Sequence, residues 1–167
     1  MVWPISKIKK NDKLLHMKKS YLLFFLFFTF CNQLKAQQEE IAVKIVIQRL
    51  FDGMRAGDSV AILSVFTPKA IMQTITIDKE GKTTIQEDAV TNFVSSIGRL
   101  PKGAADEQIV FETVKVDDDL AMVWTPYRFI FNGKFSHCGV NSFTLVKLNG
   151  EWKINYVIDT RRKQNCE

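Results

Sequence analysis

Residues 120–160 decide the fold, and they read LAMVWTPYRFIFNGKFSHCGVNSFTLVKLNGEWKINYVIDT. Two Asn-Gly pairs, Asn132-Gly133 and Asn149-Gly150, interrupt three runs in which apolar and polar residues alternate. Asn-Gly between two alternating runs is the strongest short sequence signal for a β-hairpin. The stretch therefore predicts consecutive antiparallel strands, over residues 120–131, 135–148 and 151–161.

The chain before residue 120 is predicted to begin with two helices. Residues 39–55 carry apolar side chains at helical spacing, at positions 43, 46, 47, 50, 51 and 54. Gly57 ends this helix, and Asp58 can cap a short second helix that reaches about Phe66. The pair Thr67-Pro68 is expected to break the chain there.

A strand and a third helix are expected next. Residues 70–77 alternate between apolar and polar side chains, which is typical of a strand. Thr84 and Glu87 have the spacing of a capping box, so they predict the start of a third helix that ends at Gly98. Residues 108–116 predict one further strand. The order indicates an α+β domain, with three N-terminal helices packed on one face of a curved, mostly antiparallel sheet.

The Asn-Gly turns also predict which residues share a face of the sheet. If both turns contain two residues and no strand is bulged, Phe131 pairs with Lys134 and Leu148 pairs with Glu151. The more apolar face, expected to lie against the helices, then contains Leu120, Met122, Trp124, Pro126, Arg128, Ile130, Phe135, His137, Asn141, Phe143, Leu145, Trp152, Ile154, Tyr156, Ile158 and Thr160.

Polar residues on this apolar face indicate a binding site. In this register Arg128 lies opposite His137, and Asn141 lies between Trp124 and Ile158. Buried polar groups need partners, and a few of them on an apolar wall are typical of a small-molecule pocket. We therefore predict ligand binding by Arg128, His137 and Asn141, with the flanking walls formed by Trp124 and Tyr156. The alternative is a satisfied, partly exposed His–Arg pair at the rim of the sheet.

The opposite face of the predicted sheet is too apolar to be fully solvated. It contains Val123, Thr125, Tyr127, Phe129, Phe131, Cys138, Val140, Ser142, Thr144, Val146, Asn155, Val157, Asp159 and Arg161. Exposed apolar patches of this kind usually mark protein interfaces, so we expect a homodimer through the sheet. An ion pair between Asp159 and Arg161 is expected to be structural there.

Residues 1–36 have the pattern of a secretory signal peptide. Lys18-Lys19 precedes the apolar run 21–30, and a small residue, Ala36, precedes Gln37. We expect cleavage before Gln37 and an exported protein, periplasmic or extracellular, with a single domain over 37–167. Translation starts at Met1 or at Met17. The alternatives are a retained anchor, for which ten apolar residues are too few, and lipidation at Cys31, which follows the bulky Phe30.

Charge and cysteine content limit the function further. Residues 1–36 contain seven lysines and one acid, which leaves 16 basic and 17 acidic residues for 37–167. That balance argues against a nucleic-acid partner. Cys138 and Cys166 are the cysteines of 37–167, and they form either a disulfide or two free thiols. With His137 as the sole histidine of this part, no metal site is expected, and no cofactor is implied.

Two motifs resemble known proteins. The segment from Gly57-Asp58 to Ala70 is similar to the opening of the nuclear transport factor 2-like superfamily. The segments 137–143 and 158–162, the latter followed by Cys166, resemble the secreted branch of its lumazine-binding family. The resemblance covers nearly all of 38–162. It implies a cone-shaped α+β fold with a pocket between helices and sheet, frequent dimerisation and a small-molecule ligand.

Enzymes of the same superfamily provide the main alternative. Isomerases of the ketosteroid type need a tyrosine on the first helix and acids in the pocket, and the predicted inner face lacks Asp and Glu. Scytalone dehydratases use paired histidines, whereas residues 37–167 contain one histidine, His137. A SnoaL-like enzyme remains open, with His137 as the candidate catalytic base and a carboxylate from Asp52, Asp159 or Glu112. It would use Arg128 to hold an anionic oxygen.

Binding without catalysis is favoured, since the predicted face lacks an acid. Arg128 and Arg161 suggest an anionic or carbonyl-rich ligand. A structural homodimer without a ligand is the third hypothesis.

Overall fold

The computed structural model of the protein describes residues 35–166. The signal peptide predicted over 1–36, with Met17 and Cys31, lies outside this range except for its last two residues. Within the described range, helix α1 occupies 35–56, followed by α2 (Ser59–Ser64) and α3 (Val90–Ile97). No helix of this range is long and apolar enough to cross a membrane.

The first two helices form for the reasons that the sequence indicated. The apolar stripe of α1 is buried, and the chain leaves α1 through Gly57, whose φ of 67° suits a residue without a Cβ. The carboxylate of Asp58 then accepts hydrogen bonds from the backbone amides of Val60 and Ala61, which caps α2.

The strands form one mixed sheet. They are β1 (Phe66–Ile77), β2 (Thr83–Asp88), β3 (Ala105–Ile109), β4 (Thr113–Asp117), β5 (Leu120–Phe131), β6 (Lys134–Leu148) and β7 (Glu151–Thr160). Their order is β2-β1-β7-β6-β5-β3, with β4 also pairing with β5. Only the β1–β7 pair is parallel among the pairs described. The expected α+β class with a mostly antiparallel sheet is confirmed.

Three predictions about the first half of the sheet were wrong. Thr84 and Glu87 belong to β2 rather than to a helix cap, and they pair with Thr76 and Gln73 of β1. Helix α3 begins later and has no side-chain cap. The pair Thr67-Pro68 lies inside β1, at an irregularity in its pairing with β7, instead of breaking the chain.

The predicted strand 108–116 is also wrong in its bounds. It is two short strands, β3 and β4, which pair with different halves of β5. The backbone amides of Val110 and Glu112, between the two strands, still bond to carbonyls of β5. The break therefore shifts the segment along β5 without detaching it from the sheet.

Two bulges change which residues face the helices. The turn pair Phe131–Lys134 is as predicted, but Ser136 is left unpaired, so Phe129 pairs with His137 and Arg128 pairs with Cys138. In β7, Asn155 is left unpaired between the pairs of Ile154 and Tyr156. An unpaired residue in a strand turns the residues beyond it to the other face.

The inner face therefore differs from the predicted one. It keeps His137, Asn141, Phe143, Leu145, Trp152 and Ile154, but it takes Ala121, Val123, Thr125, Tyr127 and Phe129 from β5 and Val157, Asp159 and Arg161 from the end of β7. Its apolar members pack with α1 and α2 residues such as Ile47, Phe51 and Ile62 to form the core. Burial of these side chains is the main force that holds helices and sheet together.

The outer face accordingly carries residues that were expected inside. Met122 and Trp124 of β5 are exposed by 40% and 41%. Val123, Thr125 and Tyr127, which were assigned to the dimer face, are buried inside instead. The outer face is still rich in apolar side chains, but with different members.

Candidate functional site

A cavity of about 320 Å³ opens between the inner sheet face, α1 and α3. Its apolar wall comes from Leu50, Phe51, Met54, Phe66, Met72, Phe93, Ile97, Phe129, Phe143 and Val157. Its polar lining comes from Gln73, Thr74, Gln86, Asp88, Ser96, Glu107, Tyr127, His137, Asn141, Asp159 and Arg161. The polar side chains converge from several strands, which is typical of a binding site.

Asp159 is the best-connected polar residue of the cavity. Its Oδ1 accepts a hydrogen bond of 2.6 Å from Thr74 Oγ1, and its Oδ2 accepts one of 2.8 Å from Arg161 Nε. The hydroxyl of Tyr127 lies 3.2 Å from the same Oδ2 and 3.0 Å from the carbonyl of Thr160. A hydroxyl has one proton, so Tyr127 donates to one of these acceptors at a time.

The environment of Tyr127 keeps its phenol protonated. Burial is the larger cause, and the Asp159 carboxylate adds to it; together they raise the pKa of Tyr127 above its usual range. Tyr127 is therefore available as a hydrogen-bond donor at neutral pH, and it is not a base.

Glu107 reaches the cavity from β3. It pairs with Phe129 of β5 and so shares the inner face with it. Its Oε1 accepts a hydrogen bond of 2.8 Å from Asn141 Nδ2. Burial raises the pKa of Glu107 to about 7, the Asn141 bond partly offsets this, and the charge of Asp159 adds to it. Glu107 can therefore exchange a proton near neutral pH.

His137 stands between two aromatic rings of β5. Its ring centroid lies 5.7 Å from that of Tyr127 and 5.0 Å from that of Phe129. Its Nδ1 is 3.0 Å from the Ser136 hydroxyl. Burial, followed by the charge of Arg161, lowers the pKa of His137. The imidazole is therefore mainly neutral at pH 7, with one nitrogen as donor and one as acceptor.

The profile of the family named Putative lumazine-binding matches residues 38–156, which include most of this site. The chain belongs to the lumazine-binding family. No curated protein matches the sequence significantly.

Solved structures of nuclear transport factor 2-like proteins are similar in fold to this member of the lumazine-binding family. One is an NTF2-like protein of unknown function from Shewanella baltica OS155, with 16% identity, a TM-score of 0.62, and coverage of 76% of this chain and 96% of that one. Another, from Silicibacter pomeroyi DSS-3, has 18% identity, a TM-score of 0.60, and coverage of 75% and 98%. At these identities the likeness shows the fold alone.

In this member of the lumazine-binding family, two of the five predicted ligand residues line the cavity. His137 and Asn141 line it, whereas Arg128, Trp124 and Tyr156 do not. The bulges at Ser136 and Asn155 are the reason. The first puts Arg128 and Trp124 on the face opposite to that of His137, and the second turns Tyr156 to the face opposite to that of Ile154.

The three excluded residues have other contacts or are open to solvent. The Arg128 guanidinium lies 5.1 Å from the ring centroid of Phe135. The Tyr156 hydroxyl donates to Gln73 Oε1 at 2.8 Å. Trp124 is exposed on the outer face.

Four functional candidates were missed or placed on the wrong face: Glu107, Tyr127, Asp159 and Arg161. The expectation of an inner face without carboxylates was therefore wrong. Of the carboxylates named for an enzyme, Asp159 lines the cavity, while Asp52 and Glu112 do not. The sequence did contain a signal for Glu107. Ala105, Glu107 and Ile109 are spaced two residues apart, and residues with this spacing share one side of a strand.

The C-terminal tail is fastened behind the site. A disulfide joins Cys138 to Cys166. The backbones of Cys138 and Arg162 exchange two hydrogen bonds of 2.8 Å, which extends the β6–β7 pairing past Arg161. The tail thereby keeps Arg161 beside Asp159. Among residues 35–166 no cluster of three His, Cys, Asp or Glu side chains could hold a metal ion.

Proposed function

We propose that this protein is an exported small-molecule-binding protein, whose ligand occupies the cavity between α1, α3 and the inner sheet face. The convergence of Glu107, Tyr127, His137, Asn141 and Asp159 on a cavity with an apolar wall of ten side chains carries the proposal. Pockets of about 300–1,000 Å³ with a few placed polar groups are typical of small-molecule sites. The name of the family points to the same class of function.

Export is supported by two independent features. Residues 18–36 have the order of a signal peptide, with lysines, an apolar run and a small residue. The Cys138–Cys166 disulfide is a bond that persists in oxidising compartments. Mass spectrometry of protein made in a bacterium with a periplasm tests this: the expected product begins at Gln37 and lacks two hydrogens.

The binding proposal is tested by native mass spectrometry of that exported protein. A bound ligand adds mass to the folded protein, and denaturation releases it. Val157→Phe should abolish the added mass, because Val157 lines the cavity and the larger ring fills it. The matched control is Ile158→Phe, at the next residue, which lies outside the cavity lining. Equal ligand content in both variants would place the ligand elsewhere.

We also propose that the outer sheet face forms a homodimer. Leu120, Met122 and Trp124 are exposed side by side on β5, and apolar patches of this kind usually mark interfaces. Light scattering of the purified protein should give twice the chain mass. Trp124→Glu should give a monomer, whereas Val60→Glu, at a residue 80% exposed on α2, should not. A monomeric wild type would contradict this proposal.

A SnoaL-like or isomerase-like enzyme is the second candidate. The placement of Glu107 and Asp159 in the cavity with His137 favours it, since burial raises the pKa of Glu107 to about 7 and this group can therefore accept and donate a proton near neutral pH. The released ligand, incubated with fresh protein, should change in mass if it is a substrate. Glu107→Gln should then prevent the change. A ligand that stays unaltered would leave binding as the function. The cavity itself counts against a purely structural module.

A further inference from the structure

We propose that the cavity selects a ligand with a protonated amine, or another cationic hydrogen-bond donor, which binds between Glu107 and Asp159 while its apolar part contacts Phe51, Phe129 and Phe143. This inference rests on the proposed binding function and names the ligand class for it. It replaces the expectation of an anionic or carbonyl-rich ligand, which rested on Arg128 and Arg161, because Arg128 lies outside the cavity and Arg161 is paired with Asp159.

The charges of the lining are the first argument. Three carboxylates, Asp88, Glu107 and Asp159, and a single guanidinium, Arg161, line the cavity. Arg161 already donates to Asp159 at 2.8 Å and to Thr74 at 3.1 Å, and about half of its side chain is exposed to solvent. Its charge is therefore largely matched. An anion would meet excess negative charge, whereas a cation would reduce it.

Hydrogen bonding at Glu107 is the second argument. Oε1 is occupied by Asn141, but Oε2 has no hydrogen-bond partner among the described residues, and Glu107 lines the cavity. An ionised carboxylate only accepts hydrogen bonds, so Oε2 can accept one from a donor on a ligand. A hydrogen bond to a charged group is worth more than one between neutral groups, which favours an ammonium over a neutral amide.

The protein groups around Glu107 oppose its ionisation, which gives the third argument. The charged groups around Glu107 are Asp159 of β7 and Arg161, which follows β7, with Asn141 from β6 as its neutral partner. Burial and Asp159 together outweigh Asn141 and Arg161 and raise the pKa of Glu107 to about 7. A bound cation would supply the charge that is missing. Ligand binding should therefore release a proton from Glu107 when the pH is below that value.

Three probes that share an indole ring test the inference on the exported full domain. Tryptamine is cationic, indole-3-propionate is anionic and 3-methylindole is neutral at neutral pH. Isothermal titration calorimetry should give the tightest binding for tryptamine. Glu107→Gln should weaken tryptamine binding about 10- to 100-fold, because a charged hydrogen bond is lost, and it should leave 3-methylindole unchanged. Glu112→Gln, an exposed site outside the cavity, should change neither affinity.

The pH dependence provides a readout that a purely structural role of Glu107 would not produce. Tryptamine affinity should rise between about pH 5.5 and about pH 8, as Glu107 becomes ionised. Glu107→Gln should remove most of this rise.

Several results would overturn the inference. These are tighter binding of indole-3-propionate than of tryptamine, or equal effects of Glu107→Gln and Glu112→Gln. A co-purified ligand that is a carboxylic acid without an amine would refute the amine selectivity and leave the binding function intact. No co-purified mass together with no binding of any indole would reject both proposals.

Discussion

Removing the Cys138–Cys166 disulfide should lower the free energy of unfolding by an amount that its loop length determines. The bond joins residues 28 apart. A closed loop of this length removes about 12 cal/mol/K from the unfolded chain, which corresponds to about 3.6 kcal/mol at about 25 °C in the chain-entropy model. That loss is a large part of the stability of a domain of this size, about 5–15 kcal/mol.

Urea unfolding of Cys166→Ala measures this loss. Cys166 is the residue to change, because Cys138 is buried and its replacement would also disturb packing. With an m-value of about 2 kcal/mol/M, the midpoint should fall by about 2 M. Adding a reductant to the wild type should give a similar fall and should not affect Cys166→Ala. Gln164→Ala, in the same tail, is the control that keeps the bond.

Two results would refute this reasoning. A fall in stability of less than about 1 kcal/mol in Cys166→Ala would show that the unfolded chain is not constrained as the model assumes. An unchanged midpoint for wild type in reductant, with the thiols verified as reduced, would show that the tail is held by the Cys138–Arg162 backbone bonds alone.

Three further changes test the site and its support. Because the folded-state pKa of Glu107 is raised from 4.5 to about 7, the folded state holds this proton more tightly, so the free energy of unfolding should fall by roughly 3 kcal/mol as pH rises from about 4.5 to about 7.5. In urea titrations, Glu107→Gln should flatten that profile, and Glu112→Gln should not. Gly139→Ala should lower the free energy of unfolding, measured with urea, by about 3 kcal/mol, because the new Cβ would collide with the Thr160 carbonyl oxygen. An unchanged midpoint would contradict the close approach of β6 and the end of β7. Tyr127→Phe should cost about 1 kcal/mol through the lost hydroxyl bond, and no loss would show that water replaces it.

The hairpins were predictable because their signals are local. Each Asn-Gly pair supplies two residues that adopt positive φ, and all four do so, with values of 50° and 74° in the first turn and 53° and 83° in the second. The turn and the alternation on both sides then define strand ends to within a residue or two. The strands β5, β6 and β7 were predicted on this basis.

The bulge at Asn155 was not predictable in the same way, since it depends on a distant partner. The unpaired Asn155 receives a hydrogen bond of 3.0 Å from Thr67, which lies 88 residues earlier in β1. This contact coincides with the irregular part of the β1–β7 pairing. Nothing in the local alternation of β7 marks Asn155 as the bulged residue.

The failed helix cap has a similar cause. Thr84 and Glu87 fit a capping box locally, but in the fold their side chains bond to β1, with 2.9 Å between the hydroxyls of Thr76 and Thr84 and 2.9 Å from Gln73 to Glu87. Cross-strand pairs of this kind stabilise a sheet. The non-local partner therefore decided between two structures that the local sequence permits.

Asp159 and Glu107 differ in the number of hydrogen bonds that they already accept, and this difference decides which of them a ligand can use. Asp159 is held by donors from three strands, Thr74 of β1, Tyr127 of β5 and Arg161 at the end of β7. Glu107 has one donor, Asn141, on one oxygen. Because a new hydrogen bond gains most where an acceptor is unmatched, Glu107 should dominate ligand selectivity, while Asp159 keeps the surrounding side chains in place.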